Sequence, residues 1–93
     1  MNDIIDDLRK LLFLFKQSET FAVSKYAKNI VCGVEIAVLL LEFAERNKSK
    51  IRESDKYWFK GGYQVTREFE EEEWRNIGLL YNKLVEIAEK DYW

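Results

Sequence analysis

The sequence predicts a small domain that is all-α or nearly so. We expect a three-helix bundle, with a short β-hairpin between helices 2 and 3 as the one alternative to a fully helical fold. In three long segments, apolar residues recur at steps of three and four, which is typical of helices. The 93-residue chain contains no proline, and its 47% apolar and 34% charged composition is typical of a globular domain. We therefore expect residues 1–93 to form a single helical domain.

The first helix is predicted over residues 3–17. Its apolar row has steps of four, three and four, and a second row beside it widens the face that meets a core. Aspartates crowd the first turn and lysines come later, which suits the helix dipole. The two rows are Ile4, Leu8, Leu11 and Phe15, and Ile5, Leu12 and Leu14.

The second helix is predicted from about residue 21 to residue 47, with Ser18 or Thr20 as the cap before it. It carries two apolar rows, the first with a heptad pattern of small residues. This helix is apolar on two sides, and the other two helices are too few to bury both of them. We therefore expect a homodimer in which residues 21–47 of two copies pack together. The rows are Val23, Ala27, Ile30, Val34, Ala37, Leu41 and Ala44, and Cys32, Ile36, Leu39 and Phe43.

The segment between the long helices is harder to interpret. Residues 51–56 are polar, and no Pro or Gly ends the preceding helix there. The aromatic triplet at 57–59 and the Tyr-Gln-Val sequence at 63–65 flank Gly61 and Gly62, which indicates either a hairpin or a helix end followed by a glycine turn. The last helix is predicted from Arg67 to about Asp91, capped by Thr66, with its apolar row at Trp74, Ile77, Tyr81, Leu84 and Ala88.

Missing residue types argue against catalysis. The chain has no histidine, which removes Ser-His and Cys-His pairs and His-bearing metal sites. It has no phosphate-binding glycine loop, and its one cysteine, Cys32, is expected to lie inert in the core. We expect no enzyme activity, no cofactor and no metal; a glutamate site drawing on Glu35, Glu42 or residues 70–73 is the only alternative.

The expected compartment is the cytoplasm, without contact to a membrane. The first residues are acidic where a secretory signal is basic. The longest apolar stretch, residues 30–44, is too short to span a bilayer and is interrupted by Glu35 and Glu42.

Charge is segregated along the chain. The net charge is −2, yet residues 48–67 carry +4 and residues 68–93 carry −5. Each of these two segments is able to attract a different partner.

The basic segment is a candidate nucleic-acid site, because cations follow a phosphate backbone and aromatic rings stack on bases. We favour the alternative in which the aromatic side chains close one end of the bundle and the lysines are ordinary solvated charges. The candidate residues are Lys48, Lys50, Arg52, Lys56, Tyr57, Trp58, Lys60 and Tyr63.

The acidic run is a candidate protein-binding site. A row of carboxylates imitates phosphates and attracts basic surfaces, whereas acidic residues at a helix N-terminus are also explained by the dipole. Neither explanation is preferred. The residues are Glu68, Glu70, Glu71, Glu72 and Glu73.

A third feature is an excess of apolar residues at 11–15, five in succession. Because five consecutive residues cannot share one face of a helix, we expect Phe13 or Leu14 to point elsewhere. The alternatives are burial under residues 48–65 and contact with a partner or a second copy, of which we favour the contact.

Together these features predict a non-catalytic protein-binding module that inhibits a larger complex or serves as its accessory subunit. Its protein target is expected to be a nucleic-acid-binding protein or complex. Small acidic helical chains of this general type suit phage or mobile-element inhibitors, including anti-CRISPR-like proteins. The alternatives are a helical nucleic-acid-binding protein that uses residues 48–63, and an antitoxin or immunity protein.

Overall fold

The computed structural model describes residues 2–60 and 72–93, and all regular structure within them is helical, as predicted. These ranges contain five helices rather than three, and the last helix continues as a π-helical turn over Ala88–Tyr92. The helices are α1 (Asn2–Lys16), α2 (Glu19–Val23), α3 (Lys25–Asn47), a 3₁₀ helix (Glu53–Phe59) and α4 (Glu72–Ile87).

One apolar core joins α1, α3 and α4. Phe15 of α1 packs on Trp74 of α4 with ring centroids 4.7 Å apart, and both side chains are fully buried. Asp7 of α1 and Lys83 of α4 line the same groove between these helices, and with the Phe15–Trp74 contact this shows that α1 and α4 run antiparallel. The predicted rows supply most of the core, and the row on α4 is buried throughout: Trp74, Ile77, Tyr81, Leu84 and Ala88.

The helix predicted over residues 21–47 is instead divided at Ser24 into α2 and α3. Ser24 is extended (φ −105°, ψ 113°), and its Oγ accepts a hydrogen bond from the backbone N–H of Ala27 at 3.1 Å. Ser18 caps α2 in the same way, as predicted, by accepting from the N–H of Phe21. Because the chain changes direction at Ser24, Val23 leaves the predicted buried row and is 76% exposed.

The third helix ends at Lys48, which has left-handed backbone geometry (φ 52°), and its N–H donates back to the helix. The helix therefore does not continue through residues 51–56. The hairpin is not confirmed either: residues 57–59 end a 3₁₀ helix, and residues 63–65 lie outside the described residues. The predicted start of the last helix, Thr66 and Arg67, also lies outside them.

Candidate protein-binding surface

The outward side of α3 carries a row of apolar side chains that no other described helix covers. We call it the outer row: Cys32, Ile36, Leu39 and Phe43. Steps of four, three and four place these residues on one helix face, about 16 Å long. Leu39 is 60% and Phe43 62% exposed, Cys32 is exposed and Ile36 is half-buried. The prediction that Cys32 lies in the core is therefore wrong.

Phe13 of α1 extends this surface. Its side chain is 67% exposed and lines, together with Leu39, a groove of about 300 Å³ between α1 and α3. Leu14 is 51% exposed. The prediction that the five apolar residues at 11–15 cannot all face the core is confirmed.

Two ion pairs connect α1 and α3 along one edge of the outer row. Arg9 donates two hydrogen bonds to the carboxylate of Glu42, and Lys16 donates one to Glu35 at 2.8 Å. The cations lie seven residues apart on α1 and the carboxylates seven apart on α3, so the two helices pair antiparallel. Two of the glutamates considered for a metal site, Glu35 and Glu42, are thus engaged by cations, and the described residues contain no cluster of three potential metal ligands.

Basic residues lie at both ends of the outer row. At 100° per residue, Lys25, Lys28 and Arg46 fall on the same helix face as the apolar side chains, and all three are exposed. The amine of Lys28 donates to the carbonyl of Ala22 at 3.2 Å. No acidic residue of α3 lies on this face; Glu35 and Glu42 lie at its edge, where α1 neutralises them.

The predicted nucleic-acid residues differ in exposure in the part of the chain that the structure describes. Lys48, Lys50, Arg52, Tyr57 and Lys60 are exposed, and Tyr63 lies outside the described residues. Trp58 is half-buried against α3, where a Cβ added to Gly33 would lie 3.8 Å from the indole ring. Its backbone carbonyl accepts a hydrogen bond from the hydroxyl of Tyr81.

Intramolecular contacts also occupy cations of this segment. Arg52 pairs with Asp55 at 3.1 Å, and Lys56 pairs with Glu53 at 2.9 Å while lying 5.0 Å from the ring centre of Trp93. The hydrogen bond and the charge of Lys56 lower the pKa of Glu53 below its usual range. Arg52 and Lys56 are thus engaged by side chains of the protein itself.

Residues near the C-terminus accept hydrogen bonds from the start of the basic segment. The backbone N–H of Ile51 donates to the carbonyl of Tyr92 at 2.7 Å, and the amine of Lys50 reaches the carbonyl of Asp91 at 3.4 Å. The 3₁₀ helix buries Phe59, which joins the core. Residues 50–59 are therefore held against the rest of the protein by hydrogen bonds and packing.

Of the predicted acidic site, the structure describes two residues. Glu72 is exposed and Glu73 half-buried, both in the first turn of α4, where carboxylates suit the helix dipole. Glu68, Glu70 and Glu71 lie outside the described residues.

The outer row was recognised in the sequence as a second apolar row, but it was not among the predicted site residues. The signal that could have selected it is the size of its side chains, since the other row of α3 consists mainly of alanine and valine.

Comparison of the chain with protein-family models, curated proteins and solved structures finds no match in any of the three. Among the described helices, none has the length and apolar character needed to cross a membrane.

Proposed function

We propose that this chain is a non-catalytic protein-binding module that acts as an inhibitor or accessory subunit by occupying a surface of a larger complex. The observation that carries the proposal is the outer row with Phe13 beside it. Single exposed apolar residues are ordinary on protein surfaces, but contiguous large ones on neighbouring helices are typical of interfaces. Aromatic residues such as Phe13 and Phe43 are also the usual anchors of such contacts.

The outer row adds little to the folded state, since Leu39 and Phe43 remain mostly in water. Full burial of a leucine or phenylalanine side chain contributes about 1.5–3 kcal/mol. Burial of these side chains against another protein would therefore stabilise a complex, whereas in the isolated chain they contribute little. An antitoxin or immunity protein would use the same physics against a different target.

Nucleic-acid binding through residues 48–63 stays the alternative, and it is the weaker one. Half-burial of Trp58 and the ion pairs of Arg52 and Lys56 commit part of that segment to the fold. A salt-sensitive affinity for single-stranded DNA or RNA that disappears in Lys48→Glu/Lys60→Glu would favour the alternative.

The test compares proteins captured from cells of the source organism by the wild-type chain and by Leu39→Ser/Phe43→Ser. A captured protein is purified, and its Kd for each chain is measured directly. We expect the double substitution to weaken binding at least about 30-fold, because two anchor side chains are removed.

Leu79→Ser is the matched control, since Leu79 is 57% exposed on α4, away from the outer row. It should leave the Kd unchanged. Equal binding by the wild-type chain and by the double variant, with both folded by circular dichroism, would contradict the proposed function.

A further inference from the structure

The charges at the ends of the outer row define which kind of partner fits it. Lys28 and Arg46 lie on the row's own face, 18 residues apart, which corresponds to about 27 Å along the helix. Between them the exposed surface is apolar. An incoming helix of similar length would meet cations at both ends and apolar side chains in the middle.

The acidic residues near the row do not offset these cations. Glu35 and Glu42 are paired with Lys16 and Arg9 across the α1–α3 contact, so that edge is neutral. Beyond the end of α3, two residues after Arg46, Lys48 is exposed and adds positive charge at that end. The described surface around the row is therefore basic, although the whole chain carries a net charge of −2.

Resting on the proposed function, we infer that the outer row binds an amphipathic helix of another protein, with large apolar residues in its centre and carboxylates towards both ends. The apolar side chains supply the buried area. The carboxylates pair with Lys28 and Arg46, fix the register and speed the encounter.

A second copy of this chain is a poorer occupant of the same surface. In a symmetric pair the same face meets itself. An antiparallel pairing sets the Lys28 end of one copy against the Arg46 end of the other, and a parallel pairing sets each cation against its equivalent. Both arrangements bring like charges together, which opposes the homodimer expected from the apolar pattern alone.

The test uses the full chain and two labelled synthetic helical peptides of about 18 residues with the same leucine row. One peptide ends in glutamates and the other in lysines, and binding is followed by fluorescence anisotropy. We expect the acidic peptide to bind at least about tenfold more tightly than the basic one, with an affinity that falls as salt is added.

Charge reversal provides the decisive variant. In Lys28→Glu/Arg46→Glu the preference should invert, so that the basic peptide binds more tightly. Both positions are exposed, so the fold should survive the change. A control reversal at Lys10 and Lys83, exposed residues in the α1–α4 groove, should leave the preference as it is in the wild-type chain.

The outcomes separate the two proposals. If both peptides bind equally and both are lost in Leu39→Ser/Phe43→Ser, the row binds proteins but the inference about acidic partners is wrong. If neither peptide binds, the inference is also overturned, while the captured-protein experiment still tests the proposed function. If the chain sediments as a dimer at micromolar concentration and Leu39→Ser returns it to a monomer, the occupant is a second copy and the inference fails.

Discussion

The two apolar faces of α3 differ in side-chain size, and the larger side chains lie on the exposed face instead of in the core. The face in the core carries mainly small side chains, whereas the face in water carries isoleucine, leucine and phenylalanine. Small residues in the core let α3 approach its neighbours closely, so that the large residues filling the space come from α1 and α4. The larger side chains on the outside then remain for a partner. Both faces are apolar, and side-chain size distinguishes them.

The largest expected effect separates Leu41 from Leu39, two positions on opposite faces of the same helix. Leu41 is fully buried, so Leu41→Ala should lower the free energy of unfolding by about 2–5 kcal/mol, the cost of lost burial and a cavity. Leu39→Ala should change it by no more than about 0.5 kcal/mol, because that side chain is already 60% exposed. Denaturant titration of both variants measures the difference.

If Leu39→Ala lowered the free energy of unfolding by more than about 1 kcal/mol, the contrast between the buried and the exposed face of α3 would be wrong. It would mean that the outer row is covered in solution. Repeating the titration at several protein concentrations would then show whether a second copy covers it, because dimer stability depends on concentration.

Ser24 fixes where α3 begins and so which residues occupy the buried face. Ser24→Ala removes the side-chain acceptor for the N–H of Ala27 and should cost about 1 kcal/mol. Ser24→Asp keeps an acceptor at the cap and should retain most of the wild-type stability. If Ser24→Ala is neutral or stabilising, then α2 and α3 have merged into one helix, which a gain in helical circular dichroism would reveal.

Periodicity predicted the long helices well, because the apolar row of α4 and the rows of α1, apart from Leu14, do face the core. It failed where local hydrogen bonds compete with the helix. The Ser24 side chain accepts a hydrogen bond from the N–H of Ala27 and so begins a new helix at this point. Val23, which precedes the break, is therefore exposed instead of buried with the rest of its predicted row. The other end of α3 was predicted correctly: the helix ends at Asn47, although the left-handed residue that follows, Lys48, is not a glycine.

The site was harder to predict than the fold. Composition drew attention to residues 48–63 and to the acidic run, yet Trp58 and Lys56 are occupied by contacts with distant parts of the chain. Which of two apolar rows faces water depends on how α1 and α4 pack. Periodicity on one helix carries no information about that choice.

Gly33 lies on the border between the two faces, beneath Trp58. It has no positive φ, and an added Cβ would lie 3.8 Å from the indole, an ordinary contact. Gly33→Ala should therefore stabilise the protein by about 0.5–1 kcal/mol, because it restricts the unfolded chain and favours the helix. Thermal unfolding checks the sign. A lower Tm would show that Trp58 packs more tightly against α3 than the structure indicates.

The smallest effect tests the other border, where Arg9 and Glu42 join α1 to α3. Both side chains are partly exposed, at 48% and 25%, so solvent screens their attraction. A double-mutant cycle with Arg9→Gln and Glu42→Gln should give a coupling of about 0.5 kcal/mol that falls in high salt.

The Glu42 carboxylate released in Arg9→Gln would add negative charge beside the outer row. The same single variant should consequently weaken binding of the acidic peptide, which Glu42→Gln should not do. Equal effects of the two variants on that affinity would show that the pair positions the helices rather than neutralising the edge of the row.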